Sequence, residues 1–155
     1  MSPELDKRLV NDFPSLYRDR HADMMSTAMC WGFETGDGWY NLIRELSEKL
    51  TFLAKAQNCD VRATQVKEKY GTLRFYVAGS TDIMQDCIEA ADNKSGHTCE
   101  NCGSTWGRVR AKGGLPHGWL ACRCGACAYK EGYPLSDYEA SELKVTDHVK
   151  EPSEE

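Results

Sequence analysis

Two Cys-x-x-Cys pairs, Cys99-Glu100-Asn101-Cys102 and Cys124-Gly125-Ala126-Cys127, constrain this chain more than any other feature. Each pair closes a tight turn that aims two thiolates at one point, and the segment between them is long enough to fold back and complete a tetrahedral site. The spacing predicts one structural Zn2+ held by Cys99, Cys102, Cys124 and Cys127. Four thiolates fill the coordination shell and leave no position for a catalytic water. Substituting His97, His117 or Cys122 for one of them leaves the same structural role. A redox dithiol would need only one such pair.

The metal is needed because residues 97–130 contain little else to hold them. Glycine and charge dominate, and the apolar residues are Trp106, Val109, Leu115, Trp119 and Leu120. Arg108-Val109-Arg110 and Trp119-Leu120-Ala121 are expected to pair as a hairpin across a Gly113-Gly114-Leu115-Pro116 turn. The second cysteine pair is then expected to open a short helix through Tyr129. Knuckle, hairpin and helix in that order predict a zinc module of treble-clef or ribbon type.

The other four of the eight cysteines, Cys30, Cys59, Cys87 and Cys122, read as reduced thiols rather than a disulfide framework. The opening Met1-Ser2-Pro3-Glu4-Leu5-Asp6 lacks a basic-then-apolar export pattern, and no apolar run approaches membrane-spanning length. The expectation is a soluble, cytoplasmic protein with no membrane partner.

The N-terminal two thirds predict an α+β arrangement. A short helix over residues 4–12 ends at Phe13-Pro14, because proline restricts the residue before it. Residues 15–29 are expected to be helical in part. Cys30 to Trp39 contains three glycines and three large aromatics, which predicts a compact turn, with Asp37 as N-cap of the next element. Apolar residues at 39, 42, 43, 46, 50, 53 and 54 then mark one face of a helix running to about Gln57. Val61–Lys67 and Thr72–Ala78 read as strands of an antiparallel hairpin turning at Tyr70-Gly71, its apolar face on that helix. A further helix follows through Ile83, Met84, Cys87, Ile88 and Ala91, stopping at Gly96. Ser136 and Glu139 form a capping-box pattern for a short helix near 137–145, and residues 150–155 are expected to be disordered. The organisation is a core domain over 1–96, a zinc module over 97–133 and an acidic tail over 134–155.

Charge is unevenly spread along a chain whose net charge is −5. Residues 99–130 carry five basic side chains and one acid, whereas 131–155 carry eight acids and two bases. Trp106, Arg108, Arg110, Lys112, Trp119 and Arg123 are therefore the candidate nucleic-acid residues, since cations neutralise phosphates and aromatics stack on bases. A small basic cluster in an acidic protein favours the blander reading, in which the tryptophans pack and the charges are solvated. No enzyme constellation is legible: His21, His97, His117 and His148 make no metal-nuclease grouping, and Lys112-Gly113-Gly114 lacks a phosphate-loop pattern.

Three stretches also carry a resemblance. They are Cys30-Trp31-Gly32-Phe33 through Gly36-Asp37-Gly38-Trp39; Gln65-Val66-Lys67-Glu68-Lys69-Tyr70-Gly71-Thr72-Leu73-Arg74-Phe75-Tyr76; and Thr98-Cys99-Glu100-Asn101-Cys102-Gly103 with Gly118-Trp119. Together, over roughly residues 5–128, the chain resembles a family of small zinc-ribbon-like proteins of unknown function found in tailed bacteriophages and prophages. In that family the last metal position is often a histidine, where this chain has Cys127. The Gly-Pro turn at 113–116 and the extra thiol Cys122 are further departures. The resemblance implies a phage or prophage origin and supplies no activity. It does single out Lys67, Glu68, Lys69, Tyr70 and Arg74 as candidate partner-binding residues. The expectation is a non-enzymatic accessory protein that binds a host or defence protein and inhibits it by occlusion, with nucleic-acid binding as the alternative. An enzyme acting on nucleic acid or a nucleotide is the remaining option.

Overall fold

The structure, a computed structural model, describes residues 1–113 and 118–148, with side chains as far as Leu143. Gly114, Leu115, Pro116 and His117 of the expected turn, and the acidic end from Lys150, lie outside the described residues. The architecture is α+β. Helix α1 (Pro3–Asp12) starts with a proline in its first turn and carries Glu4 and Asp6 there, where the helix dipole favours acids. It stops at Phe13, before Pro14.

Residues 15–29 differ from the expected helix. They form successive turns that lead into a single 3-10 turn at Ala28–Trp31. Local side-chain bonds compete with the helix here: the Asp23 carboxylate accepts the Met25 N–H at 2.8 Å, and Arg20 clamps Asp6 while donating to the Cys30 carbonyl. Phe33–Glu34, expected within a turn, form a short strand β1.

A second 3-10 turn, Asp37–Trp39, precedes α2 (Tyr40–Ala56). Asp37 does not cap that helix. Its carboxylate takes the Ser2 N–H at 2.6 Å, and the tight turn carries Trp39 fully into the core instead. The apolar face read from the sequence is the buried one, with Leu42, Ile43, Leu46 and Leu50 inside.

Strands β2 (Arg62–Lys69) and β3 (Thr72–Ala78) pair antiparallel, and β1 adds parallel to β2, giving the order β1-β2-β3. A bulge between Ala63 and Gln65 lets Ala63 and Val66 both face inward, so strict alternation fails in this strand. The bulge is held from outside: Leu16 accepts the Ala63 N–H at 2.8 Å, and Thr64 accepts the Thr27 hydroxyl at 3.2 Å. Helix α3 (Asp82–Ser95) stops at Gly96, as the sequence predicts, and packs on α2 and β3. Side chains of α1, α2, α3 and all three strands form one buried cluster around Tyr17, Met29 and Trp39.

The C-terminal third contains the hairpin β4 (Arg108–Lys112) and β5 (Trp119–Arg123), then α4 (Gly125–Glu131) and α5 (Asp137–His148). The capping box forms: Glu139 accepts the Ser136 N–H at 2.9 Å, and Ser136 Oγ accepts the Glu139 N–H at 3.3 Å. Among the described residues no helix is long and apolar enough to cross a membrane.

Close backbone contact joins this third to the rest. Gly38 N–H donates to the Glu100 carbonyl at 2.8 Å, and the Trp39 indole N–H donates to the Thr98 carbonyl at 2.7 Å. A Cβ on Gly38 would lie 2.3 Å from the Cys99 carbonyl oxygen, closer than any real contact. Gly38→Ala is therefore expected to cost about 2 kcal/mol or more through backbone displacement. Gly96→Ala, at a position with φ −64° and no atom nearer than 3.5 Å, is expected to be neutral or slightly stabilising. Urea unfolding midpoints of the two variants check the contrast, and equal midpoints would show that the contact carries no strain.

Candidate metal centre

The four cysteine sulfurs of Cys99, Cys102, Cys124 and Cys127 all lie within 4.8 Å of one another. A zinc ion with Zn–S bonds of about 2.3 Å separates its sulfurs by about 3.8 Å along each tetrahedral edge. The Cys102–Cys124 separation of 3.7 Å matches that edge. The residues present fit a four-thiolate metal site without rearrangement of the chain.

Each pair is aimed by its local backbone. The first knuckle is closed by the Cys99 N–H donating to the Ser104 carbonyl and the Gly103 N–H donating to the Cys99 carbonyl, both at 2.8 Å. In the second pair, Cys124 sits at the N-cap of α4 and Cys127 falls in its first turn. Asn101 donates its side-chain amide to the Cys127 sulfur at 3.4 Å and orients that ligand.

The thiols also influence one another's ionisation as one set. Burial opposes ionisation of Cys99, but N–H groups of Cys124, Cys102 and Asn101 are directed at its sulfur and bring the thiol down to about 7. Desolvation, followed by the Cys99, Cys124 and Cys127 thiols, pushes Cys102 up to about 12. Cys127 is raised as well, by burial first and by Cys124 and Cys99 after it, against hydrogen bonds with Asn101 and Cys102 that lower it. One thiolate is readily formed and further ones repel it, a conflict that a divalent ion at the centre removes.

Cys122 stands apart from this set. It is fully buried, belongs to the main apolar core, and is pushed up to about 12 chiefly by burial. Its role is packing, like that of a small hydrophobe.

Glu100, which the sequence reading passed over, ties the centre to its surroundings. Its carboxylate accepts the Gly36 N–H at 2.9 Å and an Arg123 N–H at 3.2 Å, and its own N–H donates to the Cys122 carbonyl at 3.0 Å. Its position as the only acid in a basic segment was the available signal.

The candidate nucleic-acid residues do not form one cationic face. The Arg110 side chain is only 4 % exposed and is held by both Glu139 oxygens, with further bonds to the Pro134 and Arg123 carbonyls. This pairing and the capping bonds from Ser136 hold the Glu139 carboxyl down to about 2, against a partial burial that opposes them. Arg123 bridges Glu100 and Glu131. Lys112 donates to the Glu131 carbonyl at 2.6 Å, and Arg108 reaches toward Glu139 at 3.8 Å. Trp106 and Trp119 are 79 % and 72 % exposed and line separate clefts, Trp106 beside Tyr138 and Trp119 beside Tyr70.

The candidate partner residues divide in a different way. Arg74 is drawn to Asp92 of α3 at 2.7 Å, and the Glu68 carboxylate accepts the Gly71 N–H at 2.6 Å. Lys69 and Tyr70 remain exposed at the turn, with the Lys69 ammonium 5.2 Å from the Tyr70 ring centre. Lys67 lies opposite Arg74 on the sheet and is half-buried.

Compared with protein-family models, curated proteins and solved structures, the chain matches none. The metal centre is directly testable. Elemental analysis of chelator-free protein is expected to give about one zinc per chain, and Cys102→Ser to lose it. Chelation should abolish amide-exchange protection at Gly36 and Gly38, whose partners are both on Glu100, while the middle of α2 stays protected. Metal-free protein with full protection at those amides would remove the structural role.

Proposed function

We propose that this chain is a zinc-stapled binding protein of phage or prophage type that occupies a surface of a host or defence protein and inhibits it by occlusion. In this reading the ion is zinc, held in a treble-clef arrangement by Cys99, Cys102, Cys124 and Cys127, and its shell is complete without substrate. The ion stiffens a scaffold and takes no part in chemistry, and in this reading the protein acts by binding rather than by catalysis.

One observation carries the reading. Tyr70, on the β2–β3 turn, and Trp119, on β5, are both largely exposed and line the same cleft. Large aromatics held on rigid hairpins lose little side-chain entropy on binding and are the residues most enriched among interface anchors. The nucleic-acid alternative draws less support, because Arg110 and Arg123 are engaged by Glu139, Glu100 and Glu131.

Cross-linking of the zinc-loaded chain in bacterial lysate, followed by reconstitution with the purified partner, tests the proposal. A saturable complex is expected, weakened about tenfold or more by Tyr70→Ala or Trp119→Ala. Absence of any such complex, or one indifferent to both substitutions, would count decisively against it.

A further inference from the structure

Accessibility divides the four clustered sulfurs unevenly. Cys99, Cys124 and Cys127 are buried, whereas Cys102 lies at the surface. An oxidant arriving from solvent therefore meets Cys102 first. The sulfur next to it belongs to the other knuckle: Cys102 Sγ lies 3.7 Å from Cys124 Sγ. A disulfide is about 2.05 Å long, so these two sulfurs need to close by only about 1.7 Å. Such a bond would join residues 22 apart in the sequence and run between the knuckles rather than within one.

The contacts around that bond already tie the same two segments together. Glu100, two residues before Cys102, donates its N–H to the Cys122 carbonyl and pairs with Arg123, and those two residues lead directly into Cys124. The Glu100 carbonyl and carboxylate in turn hold the Gly38 and Gly36 amides. The hairpin between the knuckles is seated as well. A Cβ on Gly71 would lie 2.6 Å from Val109 Cγ1, so the tip of the β2–β3 hairpin rests directly on β4. A cross-link from Cys102 to Cys124 leaves all these contacts in place. A bond within one knuckle would not hold the two knuckles together.

We propose that Cys102 and Cys124 form a redox switch, in which hydrogen peroxide exchanges the ion for a disulfide between the two knuckles. The switch rests on the zinc reading of the centre and needs no partner protein. The Cys102 thiolate attacks one peroxide oxygen, the O–O bond breaks, and the departing hydroxide takes a proton and leaves as water. Cys102 is then a sulfenic acid. The Cys124 thiolate attacks the Cys102 sulfur, the S–O bond breaks, and the second hydroxide leaves as water in the same way. Two thiolates lose two electrons in total, and the peroxide becomes two waters with two protons from solvent. Cys99 and Cys127 are left as two ligands where four are needed, and they no longer retain the ion. The cross-link takes over the stapling role, and a dithiol reductant with zinc reverses the exchange.

Peroxide titration of the zinc-loaded full chain tests this, once elemental analysis has established its zinc content. A chromogenic indicator is expected to report release of about one zinc per chain, and non-reducing peptide mapping to find Cys102 joined to Cys124. The oxidised, metal-free chain should keep the amide protection of Gly36 and Gly38 that chelation of the reduced chain abolishes. Dithiothreitol with zinc should restore the starting form. Cys102→His keeps a ligand at that corner without the exposed thiolate, so it should release zinc about tenfold or more slowly. Cys122→Ala, outside the four, should release it at the rate of the unchanged chain.

Disulfides confined to Cys99–Cys102 or Cys124–Cys127, a bond to Cys122, or oxidation of Cys102 to a sulfinic acid in place of a disulfide overturns the assignment. So does an oxidised chain whose Gly36 and Gly38 amides exchange as fast as in the chelated one. If Cys102→His fails to hold zinc, the disulfide mapped in the unchanged chain decides. A chain without zinc at the outset removes the zinc reading and the switch with it. Zinc that is present and retained under peroxide removes the switch alone.

Discussion

The contact on which the rest of this structure depends is a meeting of bare backbone. The Gly36-Asp37-Gly38 turn lies against the peptide unit of Glu100, close enough that neither glycine could carry a side chain. The first cysteine knuckle is thereby pressed onto the turn that leads into α2, and Trp39 reaches past it to the Thr98 carbonyl. The order imposed by the four sulfurs is passed on by short, directional bonds to the largest buried side chain of the core. A metal that closed a loop of this length would remove chain entropy, and through these contacts it would also anchor the turn through which the N-terminal half enters its main helix.

The charge asymmetry along the sequence finds its counterpart inside the molecule. Basic side chains of β4 and β5 meet acids from the segment that follows: Arg110 with Glu139, Arg123 with Glu131, and Lys112 on the Glu131 carbonyl. Glu139 serves both as a capping residue for α5 and as the partner of a buried guanidinium, which fixes where that helix begins. The acidic stretch after the cysteine segment therefore acts as a counter-surface to it. Much of the positive charge that suggested a polyanion ligand is neutralised within the fold.

Features that depend on local periodicity or spacing were legible in the sequence. The buried face of α2, the β2–β3 hairpin, the Ser136–Glu139 cap and the four clustered cysteines each follow from residues close together or repeated at a fixed interval. The features that were missed depend on distant partners. Strand β1 is two residues long and exists because β2 lies beside it. The bulge at Thr64 is held by Thr27 and Leu16. Asp37 has the composition of a helix cap, yet Ser2 reaches its carboxylate first. Arg110 and Arg123 look like free cations until the acids that meet them are located in space. Cys122 looks like a spare ligand until β5 turns it toward the core.

The seat of Gly71 on Val109 has a thermodynamic consequence. Tyr70 belongs to the three-stranded sheet and Trp119 to the hairpin beside the sulfurs, so the two rings share a cleft only while the two hairpins stay docked. Docking is in turn favoured by whatever orders the cysteine knuckle. In the proposed role, an ion and a partner would be coupled ligands of this docked arrangement, and the coupling would be reciprocal: by whatever factor the ion tightened the partner, the partner would tighten the ion. A molecule built this way would hold its metal hardest when its aromatic face is occupied.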